Sequence, residues 1–456
     1  MFKLYAQNQV QLLPPNLSDM IEKDHAARLI SSVVDEMDIS AIERSYSSQG
    51  CRAYHPAMLL KVLVYAYSIG LRSSRKIADR LQEDIVFMRL SGRSTPDFRT
   101  IALFRKDRMT DFKAVFVQVV SLCMELGMAR VGTISIDGTK FTANTSRNRV
   151  VYRKNLERRK QSIAEKIDAI IDEADELDRQ EDALYGDTTA HHTGISFDKE
   201  TIRKALGKIQ KKKTSLGKKK ETLKAIQDDI KKKERIMRKD RNSYAVADKD
   251  ATVMLMKEEY IAPGYNAQLA TENQVVLAYG LFPNRTDYKL LKPMIAEVEN
   301  MTGLTPKRVA ADAGYGMKSN YRFLKHKRIT GFIPYQNYNR DVVLKHKGLY
   351  ALPKNPDVEL EKYKARMFIR LGSEEGKKMM KRRREDVEPV FGDMKEHMKF
   401  RRFTLRGKPK CLIELGILSF AHNIKKIKTF IQSRIQQDII TEDIEKWGQI
   451  LGYAHS

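Results

Sequence analysis

"VGTISIDGTK", residues 131–140, is the stretch on which the fold turns. Ile134 and Ile136 alternate with Ser135 and Asp137, the two-residue period of a half-buried strand, and Gly138 is expected to end it. Further along, "GYNAQLATE" (264–272) and "QVVLAYGLFP" (274–283) read as two strands close enough to form a hairpin. "DYKLLKPMIAEVENM" (287–301) reads as a helix, and "KRVAADAGYG" (307–316) as a short apolar strand ending at Asp312. "KSNYRFLKHK" (318–327) is helical and "ITGFIPY" (329–335) is another strand. A basic helical segment follows from about Glu374 to His397, then an apolar helix and a basic one over 411–435. Strand, long interval, two strands, helix, strand, helix, strand, helix: that order predicts a mixed-sheet α/β domain with something inserted after its first strand.

The inserted stretch, residues 151–240, has a different pattern. Ile163, Ile167, Ile170, Ala174, Leu177 and Leu184 step by threes and fours, as do Ile202, Leu206, Ile209, Leu216, Leu223, Ile226, Ile230 and Met237. The heptad spacing predicts a helical hairpin, its joint at the turn-rich "YGDTTAHHTG" (185–194). An acidic first arm (Asp172, Glu173, Asp175, Glu176, Asp178) would face a lysine-rich second arm. His191 and His192 have no carboxylate at helical spacing and read as loop residues rather than metal ligands.

Residues 1–130 read as mostly helical. "HPAMLLKVLVYAYSIGL" (55–71) is an apolar helix stopping at Gly70, and "SSRKIADRLQED" (73–84) is serine-capped with Ile77 and Leu81 on one face. "STPDFRTIALFRKDRM" (94–109) is expected to begin at Ser94 and Thr95, with Pro96 at its first position. Its outer face is expected to hold Arg99, Arg105, Lys106 and Arg108. Short helices with tight turns and a basic last member resemble a helix-turn-helix DNA reader.

Composition sharpens the partner class. The 456 residues carry 84 Lys+Arg against 58 Asp+Glu, a net charge of +26, which calls for a polyanion such as nucleic acid. No apolar run approaches the roughly 18–20 residues that span a bilayer, so no membrane role is expected. The first residues lack the continuous apolar core of a signal peptide. Cys51, Cys123 and Cys411 form neither a zinc pattern nor a disulfide framework. A cytoplasmic, bacterial setting at the nucleoid is the expectation.

The chemistry rests on carboxylates. Asp137 and Asp312 each close an apolar strand and precede a glycine. If the strands are neighbours, the two acids meet at one edge of the sheet, a pair suited to a hard cation such as Mg²⁺. In "RREDVEPVFGDMK" (383–395), Glu388 has Arg384 four residues before it and Lys395 seven after, spacings that return to one helix face. Glu388 would be a third ligand, with Arg384 and Lys395 on DNA phosphates. Taken singly, a strand-end Asp is more often a cap and a helical Glu more often solvated. Pro389 directly after Glu388 is expected to kink the helix there or to start it, and Glu385 is the next candidate if Glu388 is turned away. Asp248, Asp250 and Asp287 are weaker candidates for supporting roles, Asp287 being expected to cap the helix after it.

"SIDGTKFTAN" (135–144), "VADKDATVM" (246–254), "ADAGYG" (311–316) and "RREDVEPVFGDMK" together resemble, in order, the motifs of bacterial insertion-sequence DDE transposases. Residues 51–109 resemble the helical domain that precedes the core in that group. The resemblance implies an RNase H-like catalytic core, with Asp137, Asp312 and Glu388 as the triad binding two Mg²⁺ or Mn²⁺ ions. One departure is Lys381, where members of the group often carry a tyrosine.

The expected organisation is a helical DNA-binding domain (1–130), the first part of the core (131–150), a helical insertion (151–242), the rest of the core (243–435) and a tail (436–456). The expected function is cleavage of element ends and joining of the 3′-OH to target DNA, by a homodimer assembled on double-stranded DNA. A metal-dependent nuclease that cuts without joining, and a basic DNA-binding protein without catalysis, are the rival readings.

Overall fold

The computed structural model describes residues 16–46, 52–109, 112–189, 199–237, 241–257, 259–351, 355–437 and 441–451. Two compact units emerge: Met1–Asn144 with Met254–Ser456, and Thr145–Val253. The strands are β1 (Thr133–Thr142), β2 (Val150–Tyr152), β3 (Ser243–Ala245), β4 (Thr252–Leu255), β5 (Ile261–Glu272), β6 (Val275–Phe282), β7 (Arg308–Ala311) and β8 (Thr330–Phe332). The larger sheet runs β4-β5-β1-β7-β8, with β6 also paired to β5. β5 is antiparallel to β1, and β7 is parallel to β1, as β8 is to β7. β5 is buried from Ala262 to Glu272, so both of its faces are covered. Asn273 and Gln274, both at positive φ, make the two-residue turn into β6, a loop type whose twist matches that of a hairpin.

β1 does not end at Gly138. It continues to Thr142, and Gly138 is needed for space, because a Cβ there would lie 2.0 Å from Nε2 of Gln268 on the neighbouring strand.

The helices before the sheet are α1 (Ala26–Asp35), α2 (Ser40–Glu43), α3 (Pro56–Ser68), α4 (Ser74–Glu83), α5 (Ile85–Leu90), α6 (Phe98–Leu103) and α7 (Phe112–Glu125). α3 has Pro56 in its first turn, capped by His55, and the chain turns away at Gly70 with φ +78°. α4 buries Ile77 and Leu81, as its spacing predicts. α6 starts later than expected. Asp97 accepts from the Thr100 N–H and is the cap, leaving Ser94, Thr95 and Pro96 outside, and the helix ends in a π-helical turn over Phe104–Arg108.

The second unit is built on α8 (Arg153–Thr189) and α9 (Lys199–Ile236), which pack together, with β2 and β3 as an antiparallel ribbon. Leu156, Ile163, Ile230, Met237 and Tyr244 form one apolar cluster, and Leu177, Ile209 and Leu216 another. Apart from Tyr244 of β3, the residues come from the two arms and their ends, so the apolar stripe of each arm faces its partner arm. Lys213 pairs across with Asp178 and Glu181, and Lys160 with Glu234. His191, His192 and the joint from residue 190 lie outside the described residues, as does Cys51.

The remaining helices belong to the first unit: α10 (Leu291–Thr302), α11 (Lys318–His326), α12 (Tyr338–His346), α13 (Val358–Gly372), α14 (Glu374–Gly392), α15 (Lys408–Gln436) and α16 (Glu442–Ile450). α14 packs on β1, β5, β7 and β8, while α15 packs on β6, α3 and α7. α15 is one helix where two were expected. Ile424, Ile427 and Ile431 stay buried at helical spacing while the lysines between them lie on its flanks, so the change to basic composition does not interrupt it. The expected tail contains α16, which buries Ile444 and Trp447. The N-terminal helices do not separate from the sheet as a compact unit of their own. No described helix is long and apolar enough to cross a membrane.

Candidate active site

Register brings the first two acids together. β1 and β7 run parallel with Ile136 opposite Ala311, so the next residue on each strand is an aspartate, Asp137 and Asp312. Asp312 caps a single 3₁₀ turn (Ala313–Tyr315) and accepts from the Gly314 N–H at 2.8 Å. Asp137 accepts from its neighbour's N–H, Gly138, at 2.8 Å, and from Nη1 of Arg383 at 3.3 Å.

A third acid stands with them. Asp287 does not cap α10, whose N-cap is Leu290. Its Oδ1 instead accepts from Nδ2 of Asn266 at 2.6 Å and Nε2 of Gln268 at 2.7 Å. Both amides are fully buried on β5. The Gln268 Oε1 in turn accepts from the buried Tyr315 hydroxyl. Gly314 fits between two acids: a Cβ there would lie 2.9 Å from Oδ1 of Asp312 and 3.5 Å from Oδ2 of Asp287.

Burial and mutual repulsion set the electrostatics. Burial, opposed by the Arg383 guanidinium and reinforced by Asp312 and Asp287, pushes Asp137 up to about 6. Burial also raises Asp312, against the Gly314 N–H bond and with Asp287 adding to the rise. The Tyr315 phenol is held well above its ordinary range by burial and then by the three aspartates. Partly buried carboxylates that raise one another's proton affinity are the arrangement a cation relieves.

Glu388, Arg384 and Lys395 behave differently. Pro389 does not break the helix: α14 runs unbroken from Glu374 to Gly392. The proline leaves the Glu385 carbonyl without its helical N–H, and the side chain of Gln274 donates to that carbonyl at 2.8 Å instead. α14 buries Met379, Asp386, Val387 and Val390, and Arg384 and Glu388 sit one turn apart on an exposed flank. Lys395 falls in the π-helical turn Asp393–His397, which alters the simple helical count, with its ammonium 5.6 Å from the Phe141 ring centre. Glu385 is exposed and pairs with Lys381 at 3.7 Å. Among the described residues, no group of three His, Cys, Asp or Glu side chains could hold a metal ion, so Asp137, Asp312 and Glu388 do not form a closed cage. Asp248 and Asp250 belong to the second unit, where Asp248 accepts from the Asp250 N–H.

The basic residues of the N-terminal helices divide. Arg99 and Lys106 are exposed. Arg105 is buried, contrary to its expected outer-face position, because the π-helical turn rotates it inward. There it donates to the Tyr67 hydroxyl at 2.9 Å and the Arg72 carbonyl at 2.8 Å. Tyr67 donates to the buried Glu414 at 2.9 Å, and Glu414 also accepts from the Thr404 and Leu405 N–H groups. Arg108 lies over the Tyr46 ring and bonds the Ser45 carbonyl.

Asp287 is among the weaker candidates the sequence offers, whereas Arg383, Asn266, Gln268 and Tyr315 are not singled out by it. A usable signal existed for the amides: Asn266 and Gln268 share one face of a strand otherwise rich in apolar residues. Arg383 is one of three successive arginines, and nothing in the sequence distinguishes it from its neighbours.

Residues 15–107 match the family described as Transposase domain (DUF772), and residues 347–428 match that described as Transposase DDE domain. These two families define the class: a transposase of the DDE type, with DNA as its implied substrate. Together the two matches support an insertion-sequence DDE transposase. No curated protein matches it, and no solved structure does.

Proposed function

We propose that the chain cuts DNA at the ends of its own element and joins the freed 3′-OH to target DNA, using an RNase H-like core. The observation that carries this reading is the β1–β7 register that makes Asp137 and Asp312 neighbours. The strand order supports it too: β1 has an antiparallel hairpin on one side and two parallel strands on the other, with the motif helix α14 packed across them.

The two aspartates fit a divalent cation by donor chemistry and by their raised proton affinity. Asp137, Asp312 and Glu388 would hold two Mg²⁺ or Mn²⁺ ions, Glu388 being assigned on its motif spacing rather than on contact. Bound there, the ions supply charge stabilisation to the entering and leaving oxygens of an in-line displacement. Arg383 balances the charge of Asp137. The Asn266 and Gln268 amides fix Asp287 beside the pair. Arg384 and Lys395 bind phosphates flanking the scissile bond. The N-terminal helices, in a helix-turn-helix-like arrangement, meet DNA through Arg99 and Lys106, with Arg108 beside them, while Arg105 holds their shape. Two element ends call for a homodimer on the DNA, acting at a bacterial nucleoid.

The test is cleavage and strand transfer on a duplex carrying the element's ends, with Mg²⁺ or Mn²⁺. Asp312→Asn is expected to lower both by about 10³-fold or more, the scale of several kcal/mol of charge stabilisation. Cleavage without joined product from pre-cut ends would make the chain a nuclease. DNA binding that survives with no metal-dependent cutting at all would leave a DNA-binding protein.

A further inference from the structure

Asp312 directly follows β7, at the carboxyl edge of the parallel strands. The opposite edge, where β8 begins, has a concavity of its own. A pocket of about 270 Å³ lies between α11, α13 and the start of β8. Lys325, Arg328, Arg366 and Arg370 line it, and no carboxylate does. Whole small-molecule ligands fill pockets of roughly 300–1,000 Å³, so this one suits a compact anionic group.

The surface around the pocket is balanced differently. Arg308 pairs with Glu375 at 3.4 Å, Lys327 with Glu299 at 3.0 Å and Lys364 with Glu361 at 2.7 Å, and Arg322 pairs with Glu359. For the pocket cations no ion pair is found among the described residues. Like charges gathered without a counterion repel one another, and an anion among them relieves that repulsion. The ordinary explanation for such cations is a helix C-terminus, whose dipole they offset. It covers Lys325, in the last turn of α11, and Arg328, just beyond its end. It does not cover Arg366 and Arg370, which sit one turn apart on α13.

The backbone adds two observations. Arg328 has φ +58°, and the Ile329 N–H after it bonds back to the Leu324 carbonyl at 2.9 Å. That is the left-handed position after a helix, which favours glycine. An arginine there strains the backbone and delivers a guanidinium to the pocket. The Thr330 N–H bonds the Lys307 carbonyl at 3.0 Å, beside β7, so the next N–H, that of Gly331, points away from β7. Gly331 lines the pocket, and its carbonyl holds Nη1 of Arg370 at 2.9 Å.

We propose that this pocket binds a phosphate group, held by Arg328, Arg366 and Arg370, on the sheet edge opposite Asp312. Guanidinium forks match phosphate oxygens in charge and in geometry. A nucleic-acid backbone and a free phosphate ion present the same kind of oxygens, so both are sources of the group. The proposal does not depend on Asp312 being catalytic.

The test uses the full-length protein and two probes at matched ionic strength. Sodium phosphate is compared with sodium chloride by thermal melting, and a duplex of arbitrary sequence is titrated across a salt series. Arg366→Gln and Arg328→Gly each remove one pocket guanidinium, and Arg308→Gln removes a paired charge nearby. If the ion is the ligand, phosphate raises the melting temperature of the wild type, and its affinity falls about tenfold in both pocket variants. Arg328→Gly should melt no lower than the wild type in chloride, because glycine suits the left-handed backbone. If a backbone phosphate is the ligand, the slope of log affinity against log salt drops by about one in each pocket variant. Absence of both changes overturns the proposal. So does an equal change in Arg308→Gln, which would reflect net charge alone.

Discussion

The acids on strands and the acid on the helix are held by different means. Asp137 and Asp312 are placed by the backbone: parallel register makes them neighbours, and no side-chain choice can separate their α-carbons. Glu388 is placed by its own rotatable bonds on an exposed flank of α14. The strand acids pay for their fixed position in proton affinity, since burial pushes Asp137 up to about 6. The difference teaches that main-chain register preorganises the aspartate pair, while Glu388 has no such constraint.

The largest effect should come from separating metal capture from catalysis. Mn²⁺ is expected to raise the melting temperature of the wild type without DNA, and Asp137→Asn or Asp312→Asn should remove that shift. Glu388→Gln should keep most of it, yet lose about 10³-fold in DNA cleavage. Equal loss of the Mn²⁺ shift in all three variants would erase the distinction drawn here. The shift should also depend on pH with a definite sign. Asp137 takes up a proton as pH falls through about 6, and a protonated carboxylic acid is a poor ligand, so the Mn²⁺ shift should shrink from pH 7.5 to pH 5. In metal-free protein the same raised value means the folded state holds the extra proton between the ordinary aspartate range and about 6. Its contribution therefore lowers stability as pH rises through that window.

A smaller effect tests the preorganised half. Gly138→Ala would put a methyl group against the Gln268 and Asn266 side chains, which are themselves tied to Asp287. A loss of about 1–3 kcal/mol in chemical denaturation is expected, along with a weaker Mn²⁺ shift. An unchanged shift would mean that the amide pair does not steady the acids. The smallest effect tests the helical half. Gln274→Ala leaves the Glu385 carbonyl unbonded, for a cost of about 1 kcal/mol, with cleavage falling more than metal binding. A full-strength cleavage rate in that variant would show that α14 needs no such support.

Much of this was legible in the sequence, for identifiable reasons. Two-residue alternation around Ile134 and Ile136, and the short apolar run before Asp312, announced both strands that carry the acids. Heptad spacing announced α8 and α9. What failed were features decided by tertiary partners. Gly138 reads as a stop because a glycine's local meaning is a turn, whereas its actual role is clearance for Gln268 across the sheet. Pro389 locally signals a kink or a helix start, because the replacement donor comes from Gln274, more than a hundred residues earlier in the chain. Arg105 was placed outside by a regular helical wheel that a π-helical turn does not obey. Asp287 reads as a cap in sequence because its two amide partners lie on β5 and are silent until the strand is built.

The N-terminal helices and the sheet share one compact unit, tied together through buried Glu414, Tyr67 and Arg105. If these helices grip the element's end, the fold itself becomes a ruler, and the cut should fall at one constant offset from the gripped sequence, however long or bent the flanking DNA.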